Sequence, residues 1–468
     1  MKDRLVQFLG NNSIHGLKYV FEPGRHWTER VLWIILCCMS SYGAIALARA
    51  SWIAFQANAV SFVVDTSYLN WNTSFPAVSI CEQRNEEKIK KLAFKLFGAD
   101  RTLDHDAFLE EIIYFNPMMC GTCSQTCGSN INCTIDFQQA ISKVRASCKE
   151  LFKFCAWNEN VFECCDFFLA LETEVGICYT INSLQYLANS KRLNMISNRF
   201  DGPGKLELRL LENAQVYLHG ADEVPYINHP LEEQFLIELG QAVRTVFLIR
   251  EIENDKLLET VSLDQRGCRW HYSENILSTH HYYSYSTCIV DCRARAQMEI
   301  CRCVSQFMPQ MGKLPVCDLS GLICLQENKE DLNQVKTAVS EVKGLKCDCM
   351  PSCSEPELSI VETLFESETM SVKDDDLLDE SKITIEMESL PTAKYNRKLV
   401  RSPLDLIVSI GGIIGLFLGT SLMTIIEMGF LICMRKDPPL RKPEKDSCYI
   451  FTGIKKTSER LRNGWDLK

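Results

Sequence analysis

Two runs of about 20 residues without a charge, Val31 to Ala48 and Leu406 to Ile426, constrain this chain more than any other feature. At 1.5 Å per residue each makes roughly 30 Å of helix, the thickness of a bilayer's hydrocarbon core. The expectation is a membrane protein with two transmembrane α-helices. A cleaved secretory signal is the weaker reading of the first run, although Ala46-Leu47-Ala48 resembles a cleavage site. Roughly 30 residues precede the run, and its apolar core exceeds the usual signal length of about 7 to 15. Lys2, Arg4, Lys18, Arg25 and Arg30 precede the first run, and Arg435, Lys436, Arg441, Lys442 and Lys445 follow the second. By the positive-inside rule both termini are cytoplasmic, and roughly 350 residues between the runs lie on the other side.

That intervening segment holds twenty of the 24 cysteines. Dense, even-numbered cysteine there reads as disulfides in an oxidising compartment. Zinc is the alternative for Cys120-Gly-Thr-Cys123-Ser-Gln-Thr-Cys127 and for Cys347-Asp-Cys349, but none of the eight histidines is near these clusters, and disulfides are favoured. No metal or cofactor is expected. Cys37, Cys38, Cys433 and Cys448, in or beside the spans or in the tail, are expected as thiols. Asn72 and Asn132 begin sequons in the same segment and are candidate glycosylation sites, whereas the sequon at Asn11 would face the cytoplasm. A formal charge of -10 shows no concentrated basic surface and argues against nucleic acid as a partner.

The order along the chain is then a cytoplasmic N-terminus (1–28), a first transmembrane helix (29–54), and a large disulfide-rich ectodomain (55–400). A second transmembrane helix (401–434) and a cytoplasmic tail (435–468) follow. Residues 75–80 and 205–210 read as strands, and 85–98 and 334–345 as helices with apolar residues three and four apart, so the ectodomain is mixed α+β. The acidic run at 373–381 reads as a solvated loop in preference to a cation-attracting pore mouth.

The second apolar run is oddly built. Gly411, Gly415 and Gly419 form a GxxxGxxxG ladder on one helical face, with Gly412 beside it. Such a ladder lets helices pack closely in lipid. It does not account for Gly419-Thr420-Ser421 followed by Glu427, because a carboxylate at that depth is costly against lipid and marks a water-lined path. An ion pore explains both, since a glycine can unwind the helix and expose carbonyl and hydroxyl oxygens around a cavity. On composition alone, seam and pore fit equally. An enzyme is not expected, because Gly419-Thr-Ser421-Leu-Met423 lacks the second glycine of a nucleophile elbow.

Further blocks stand along the chain: Ser13-Ile-His15-Gly16-Leu17, Phe75-Pro-Ala-Val-Ser-Ile-Cys81, and Thr173-Glu-Val-Gly-Ile-Cys178-Tyr-Thr-Ile-Asn182. Gln265-Arg-Gly-Cys268, Tyr285-Ser-Thr-Cys288-Ile-Val-Asp-Cys292, Cys301-Arg-Cys303 and Cys347-Asp-Cys349-Met-Pro-Ser-Cys353 follow. In this order, together with the glycine-rich run, they resemble the epithelial sodium channel and degenerin family, which includes the acid-sensing and insect pickpocket channels. The resemblance spans nearly the whole chain, and the short tail and many cysteines look most like an insect pickpocket subunit.

The resemblance implies a sodium-permeable, amiloride-sensitive cation channel subunit of the plasma membrane, assembled as a homo- or heterotrimer in the lipid bilayer. The second helix would line the pore, and the ectodomain would answer an extracellular stimulus. Gly419, Thr420 and Ser421 would form the selectivity filter for permeant sodium. His15 and Gly16 would belong to the gating motif, and Val408, Ser409, Gly411, Gly412, Gly415 and Glu427 to the pore and its gate. The family's disulfide ladder implies Cys268 with Cys353, Cys288 with Cys349, Cys292 with Cys347, Cys301 with Cys324, Cys303 with Cys317, and Cys81 with Cys178. The eight cysteines of the finger region stay unassigned. Ser409 replaces an aspartate found in acid-sensing members, which weakens proton gating, and Val408 is bulkier than the family's usual small residue. Trp71 is a candidate for coupling to the membrane helices. The alternatives are an ATP-gated channel of purinergic type and a non-conducting receptor or auxiliary subunit.

Overall fold

The computed structural model describes residues 16–426 except 23, 58, 68–70, 99–100, 115–134, 187–190, 273–276, 310–313, 337–342, 355, 368–379, 422 and 425. The chain divides into one unit of Val60–Leu399 and a second built from the segments on either side of it.

The larger unit is mixed α and β. Its strands begin with β1 (Val60–Asp65), β2 (Thr73–Ser74), β3 (Ala77–Glu82), β4 (Phe152–Trp157), β5 (Asn160–Val161), β6 (Leu169–Thr173) and β7 (Gly176–Ile181). They continue with β8 (Ile196–Ser197), β9 (Lys205–Leu210), β10 (Ala214–His219), β11 (Gln234–Ile237), β12 (Gln241–Arg250) and β13 (Ile252–Asn254). β14 (Glu357–Ser367), β15 (Ser381–Met387) and β16 (Lys394–Leu399) complete the set. A six-stranded sheet runs β14-β12-β15-β9-β4-β5, a five-stranded sheet β11-β10-β3-β7-β6, and a three-stranded sheet β1-β16-β13. β9 shows why the period-two pattern works: Leu206, Leu208 and Leu210 are fully buried while Lys205, Glu207 and Arg209 face outward or toward the rim. Their partners in the core include Ile383 and Ile385 of β15 and Phe75, whose ring meets Trp157 at 4.7 Å and Phe247 at 5.1 Å, edge to face in both cases. β3 is buried on both faces, and its two polar residues are both bonded: Ser79 to Thr180 Oγ1 at 2.6 Å and His219 Nε2 at 2.8 Å, and Glu82 Oε2 to the Ala146 amide at 2.7 Å.

The α-helices of five or more residues are α1 (Leu17–Phe21) and α2 (Trp27–Ala57) in the smaller unit, then α3 (Glu86–Phe97), α4 (Leu103–Ile113) and α5 (Phe137–Val144) in the larger. α6 (Tyr285–Cys301), α7 (Leu319–Glu327) and α8 (Lys329–Asn333) follow there, and α9 (Pro403–Leu418) returns to the smaller unit. α3 begins where Asn85 Oδ1 accepts from the Lys88 amide at 3.0 Å and buries Ile89, Leu92 and Ala93, the expected apolar stripe. The expected helix at 334–345 is corrected at both described ends. Val335 and Leu345 form a parallel bridge, with the Leu345 amide donating to Gln334 O at 2.7 Å and Lys336 to Leu345 O at 2.8 Å. A helix over that span would hold its ends roughly 16 Å apart. The long-range backbone bonds replace those a helix would have made.

Eight disulfides join described residues. Cys81 is bonded to Cys178, Cys268 to Cys353, Cys288 to Cys349, Cys292 to Cys347, Cys301 to Cys324 and Cys303 to Cys317. Cys148–Cys165 and Cys155–Cys164 assign half of the finger-region cysteines; Cys120, Cys123, Cys127 and Cys133 lie outside the described residues. α6 organises the ladder, because Cys288 and Cys292, one turn apart, present both sulfurs on one face. A different face carries Arg293, fully buried, which donates to Glu174 Oε1, to Asn228 Oδ1 at 2.5 Å and to Leu332 O at 2.9 Å. Glu174 Oε1 also accepts from the Ile227 amide at 2.6 Å. Removing one partner of such a buried pair leaves an uncompensated charge. Arg293→Leu is therefore expected to destabilise the protein by about 3–5 kcal/mol, and adding Glu174→Leu to recover most of that loss. Thermal denaturation of the purified full chain checks both; equal destabilisation by single and double variants would contradict the assignment.

Candidate pore site

α2 is 31 residues long, about 46 Å at 1.5 Å per residue, and is long and apolar enough to cross a membrane. Ala44 is the one buried residue among those described in it, and Leu32, Ile35, Met39, Tyr42, Ile45, Trp52 and Ile53 are all exposed. A helix this apolar that leaves most of its large side chains exposed matches a lipid environment better than a soluble core.

α1 folds back beside the start of α2 through the second residue of the His-Gly pair. Gly16 caps α1 at φ 86°, a conformation that favours glycine, and an added Cβ would lie 2.8 Å from Cys37 Sγ. Tyr19 stacks on Trp33 at 4.6 Å, and Arg25 lies over the Tyr19 ring at 4.8 Å. His15 is outside the described residues.

α9 starts with a reciprocal cap: Ser402 Oγ accepts from the Asp405 amide at 3.1 Å and Asp405 Oδ2 accepts from the Ser402 amide at 2.9 Å, with Pro403 in the first turn. Sixteen residues later the helix stops at Gly419, which is left-handed at φ 65° and ψ 19° and donates its amide to Gly415 O at 3.0 Å. Thr420 and Ser421 are not helical, and helix is resumed at 423, 424 and 426. Ser421 starts the new turn: its amide donates to Thr424 Oγ1 at 3.1 Å, and its hydroxyl accepts from the Thr424 amide at 3.3 Å. The Gly-Thr-Ser triplet is thus a break with a glycine stop on one side and a serine start on the other. Thr420 Oγ1 is buried with no hydrogen-bond partner.

Stopping a helix in an apolar segment leaves carbonyls without amide partners. One is answered from α2, where Ser40 Oγ donates to Phe417 O at 2.5 Å. One turn along α2, a Cβ on Gly43 would lie 2.7 Å from the Phe417 ring, so the close approach of the two helices is made there. Ser51 and Ser409 hydroxyls are 3.3 Å apart. Gly411 and Gly412 have nothing within 4 Å of an added Cβ, and Gly415 meets only Thr420 O at 3.7 Å. Val408 and Ser409 are exposed. Gly411, Gly412 and Gly415 therefore do not form the contact with α2 within one chain. Ser40, Gly43 and Thr424 were not singled out in the sequence; the spacing Ser421-Leu-Met-Thr424, a helix-start pattern, was the available signal. Glu427 and Asn132 lie outside the described residues, and Asn72 is exposed.

In the larger unit, Trp71 lies under the Lys394 ammonium at 5.0 Å, and Lys394 also pairs with Glu251. Tyr283 is buried, with its hydroxyl donating to Met350 O at 2.7 Å and accepting from the Met350 amide at 3.0 Å.

An apolar helix long enough to cross a membrane, a helix broken within an apolar segment and a disulfide-rich α and β domain fit a membrane channel subunit. The sequence profile of the amiloride-sensitive sodium channel family matches residues 8–431, and the chain belongs to that family. Pickpocket protein 19 of Drosophila melanogaster is 21% identical over 92% of this chain and 90% of its own length. The sodium channel protein Nach of Drosophila ananassae is 21% identical over 92% and 87%. Acid-sensing ion channel 2 of Rattus norvegicus is 23% identical over 90% and 85%. A solved proton-activated chloride channel aligns at 6% identity and a TM-score of 0.25, too slight a likeness to argue from.

Gly419→Ala removes the residue best able to hold the left-handed stop, which for an L side chain costs roughly 1–2 kcal/mol. Continuation of the helix through 419–421 is the expected result, read as slower amide hydrogen exchange at Thr420 and Ser421 in the reconstituted protein. Unchanged exchange would show that the break is held by other contacts.

Proposed function

We propose that this chain is a subunit of a sodium-permeable, amiloride-sensitive cation channel. It crosses the plasma membrane twice with both termini in the cytoplasm, and three subunits, identical or mixed, surround one pore lined by the second helix. The observation that carries this reading is the break at Gly419-Thr420-Ser421 inside an apolar segment. Irregular backbone at such a depth is tolerated where it lines a cavity, and the oxygens it frees suit a hard cation. Membership of the amiloride-sensitive sodium channel family supports it, as do the open flanks of Gly411 and Gly412, which leave room for neighbouring helices around a common axis. The disulfide ladder would let the ectodomain move as a lever when an extracellular stimulus arrives, with Trp71, which lies under the Lys394 ammonium, as the coupling candidate.

Expression of the chain alone, with whole-cell recording while external sodium is exchanged for N-methyl-D-glucamine, tests the proposal. A sodium current whose selectivity or block shifts in Ser421→Cys is the expected result. Surface expression without current would count against a homomeric channel and favour an auxiliary role. Val408 is 66% exposed on the proposed pore helix. If its bulk props the pore open, Val408→Gly lowers the standing current by severalfold, and an equal or larger current would refute that role.

A further inference from the structure

Arg49 is the charge that ends the first apolar run, and nothing in the pore reading uses it. It stands in the last third of α2, eight residues before the helix ends at Ala57. Arg49 is exposed and makes no hydrogen bond or ion pair with another described residue. A guanidinium on so apolar a helix is costly against hydrocarbon, and such residues pair with an anion or reach the interface.

The opposite face of α2 settles where Arg49 looks. Ser40 and Ser51 reach Phe417 O and the Ser409 hydroxyl of α9, and Ala44, between them, is buried. At 3.6 residues per turn, Arg49 falls roughly 140–180° round the axis from these three. It shares the far side with Tyr42, Ile45, Trp52 and Ile53, all large and exposed. Arg49 therefore turns away from α9.

Depth follows from the tryptophans. Trp27 and Trp52 are 25 residues apart, roughly 37 Å along the helix. That exceeds a hydrocarbon core of about 30 Å and falls short of the roughly 40–45 Å that includes both headgroup layers. The two indoles thus sit in opposite interfaces, as tryptophan prefers. Arg49, one turn before Trp52 on the same side, is at the edge of the hydrocarbon. Cα–Cβ bonds lean toward the start of a helix, so the guanidinium stays near that depth and the phosphate layer bends in to meet it.

The chemistry of the partner follows from the charges already paired. The described carboxylates of the smaller unit are Glu22, Glu29 and Asp405. The first two hold Arg25 at the other end of α2, and Asp405 Oδ2 accepts from the Ser402 amide and hydroxyl. A second copy of these helices would bring the same engaged groups. The bilayer supplies an anion instead, the phosphodiester of a phospholipid headgroup, whose oxygens the planar guanidinium fork meets two at a time. Trp52, half-exposed, adds an indole N–H and an apolar body beside it.

We propose that Arg49, with Trp52, binds the phosphate of an outer-leaflet phospholipid and so sets the depth of α2. The proposal rests on the reading that α2 crosses the membrane with its start in the cytoplasm, and not on conduction.

The test is native mass spectrometry of the purified full chain in detergent, titrated with dioleoylphosphatidylglycerol, with dioleoylglycerol, which has the same chains and no phosphate, and with inorganic phosphate. The phospholipid is expected to be retained, the diacylglycerol to bind at least tenfold more weakly, and inorganic phosphate not to displace the lipid. Arg49→Gln should weaken one bound phospholipid per chain at least tenfold with an unchanged gel-filtration profile, and Arg49→Lys should weaken it less, since a charge and its donors remain. Arg49→Met is read in place of the Gln variant if that one does not fold. Equal retention of the diacylglycerol, displacement by inorganic phosphate, or unchanged phospholipid binding in Arg49→Gln would each overturn the proposal, the last by placing Arg49 against a neighbouring copy. A chain that stays monodisperse without detergent would instead overturn the membrane reading beneath it.

Discussion

The antiparallel ladder between β1 and β16, running from Val60 opposite Leu399 to Asp65 opposite Lys394, ties together the two ends of the larger unit. Everything between is one long insertion whose ends are clamped. Closing so long a loop is costly in entropy, though the cost grows only logarithmically with length, so a short ladder reinforced by side chains suffices. Arg397, buried in β16, supplies much of the reinforcement. It lies over Phe62 of β1 and contacts the sulfur of Cys268, whose disulfide to Cys353 closes the base of the α6–α8 region. β13 joins β16 in parallel, and Asn254 at its end donates to Cys353 O at 2.8 Å. Strand, disulfide and cation thus meet at one place, and a change in any of them is felt by the others.

The same economy of anchoring recurs along α6. Its disulfides hold one face, and Arg293 with Glu174 holds another, so the helix is fixed by covalent bonds and by a buried charge pair together. Tyr283, just before the helix, exchanges two hydrogen bonds with Met350, which lies between the two cysteines Cys349 and Cys353. A segment of modest apolar content is made rigid by specific bonds more than by area, as expected where small cores are stapled.

Much of this was legible in the residues, for identifiable reasons. β9 could be read because one face of it is buried and its alternation is strict. α3 could be read because Asn85, Glu86 and Glu87 supply a start and Gly98 a stop. The disulfide partners of Cys268 through Cys353 came from resemblance to a family, since ten cysteines admit many pairings and spacing alone selects none. Residues 334–345 misled because their apolar spacing is locally helical, whereas Gln334 and Lys336 exchange backbone bonds with Leu345 in a bridge that no local pattern announces.

The glycine-rich segment shows how one motif divides its work. A GxxxGxxxG ladder suggests a single seam, yet its members meet different surroundings. Gly419 stops the helix, Gly415 supplies the carbonyl that receives the Gly419 amide, and Gly411 has empty space beside it. The close contact with α2 is made by Gly43 against Phe417, on the other partner. Ending a helix in an apolar segment would be prohibitive if every freed carbonyl were left bare, and Ser40 answers the one at Phe417. That bond fixes how the broken end meets α2 while leaving the Thr420 hydroxyl, buried and without a partner, uncommitted to either helix. A polar group kept in that condition costs stability, and a fold that only needed two packed helices had no reason to retain it.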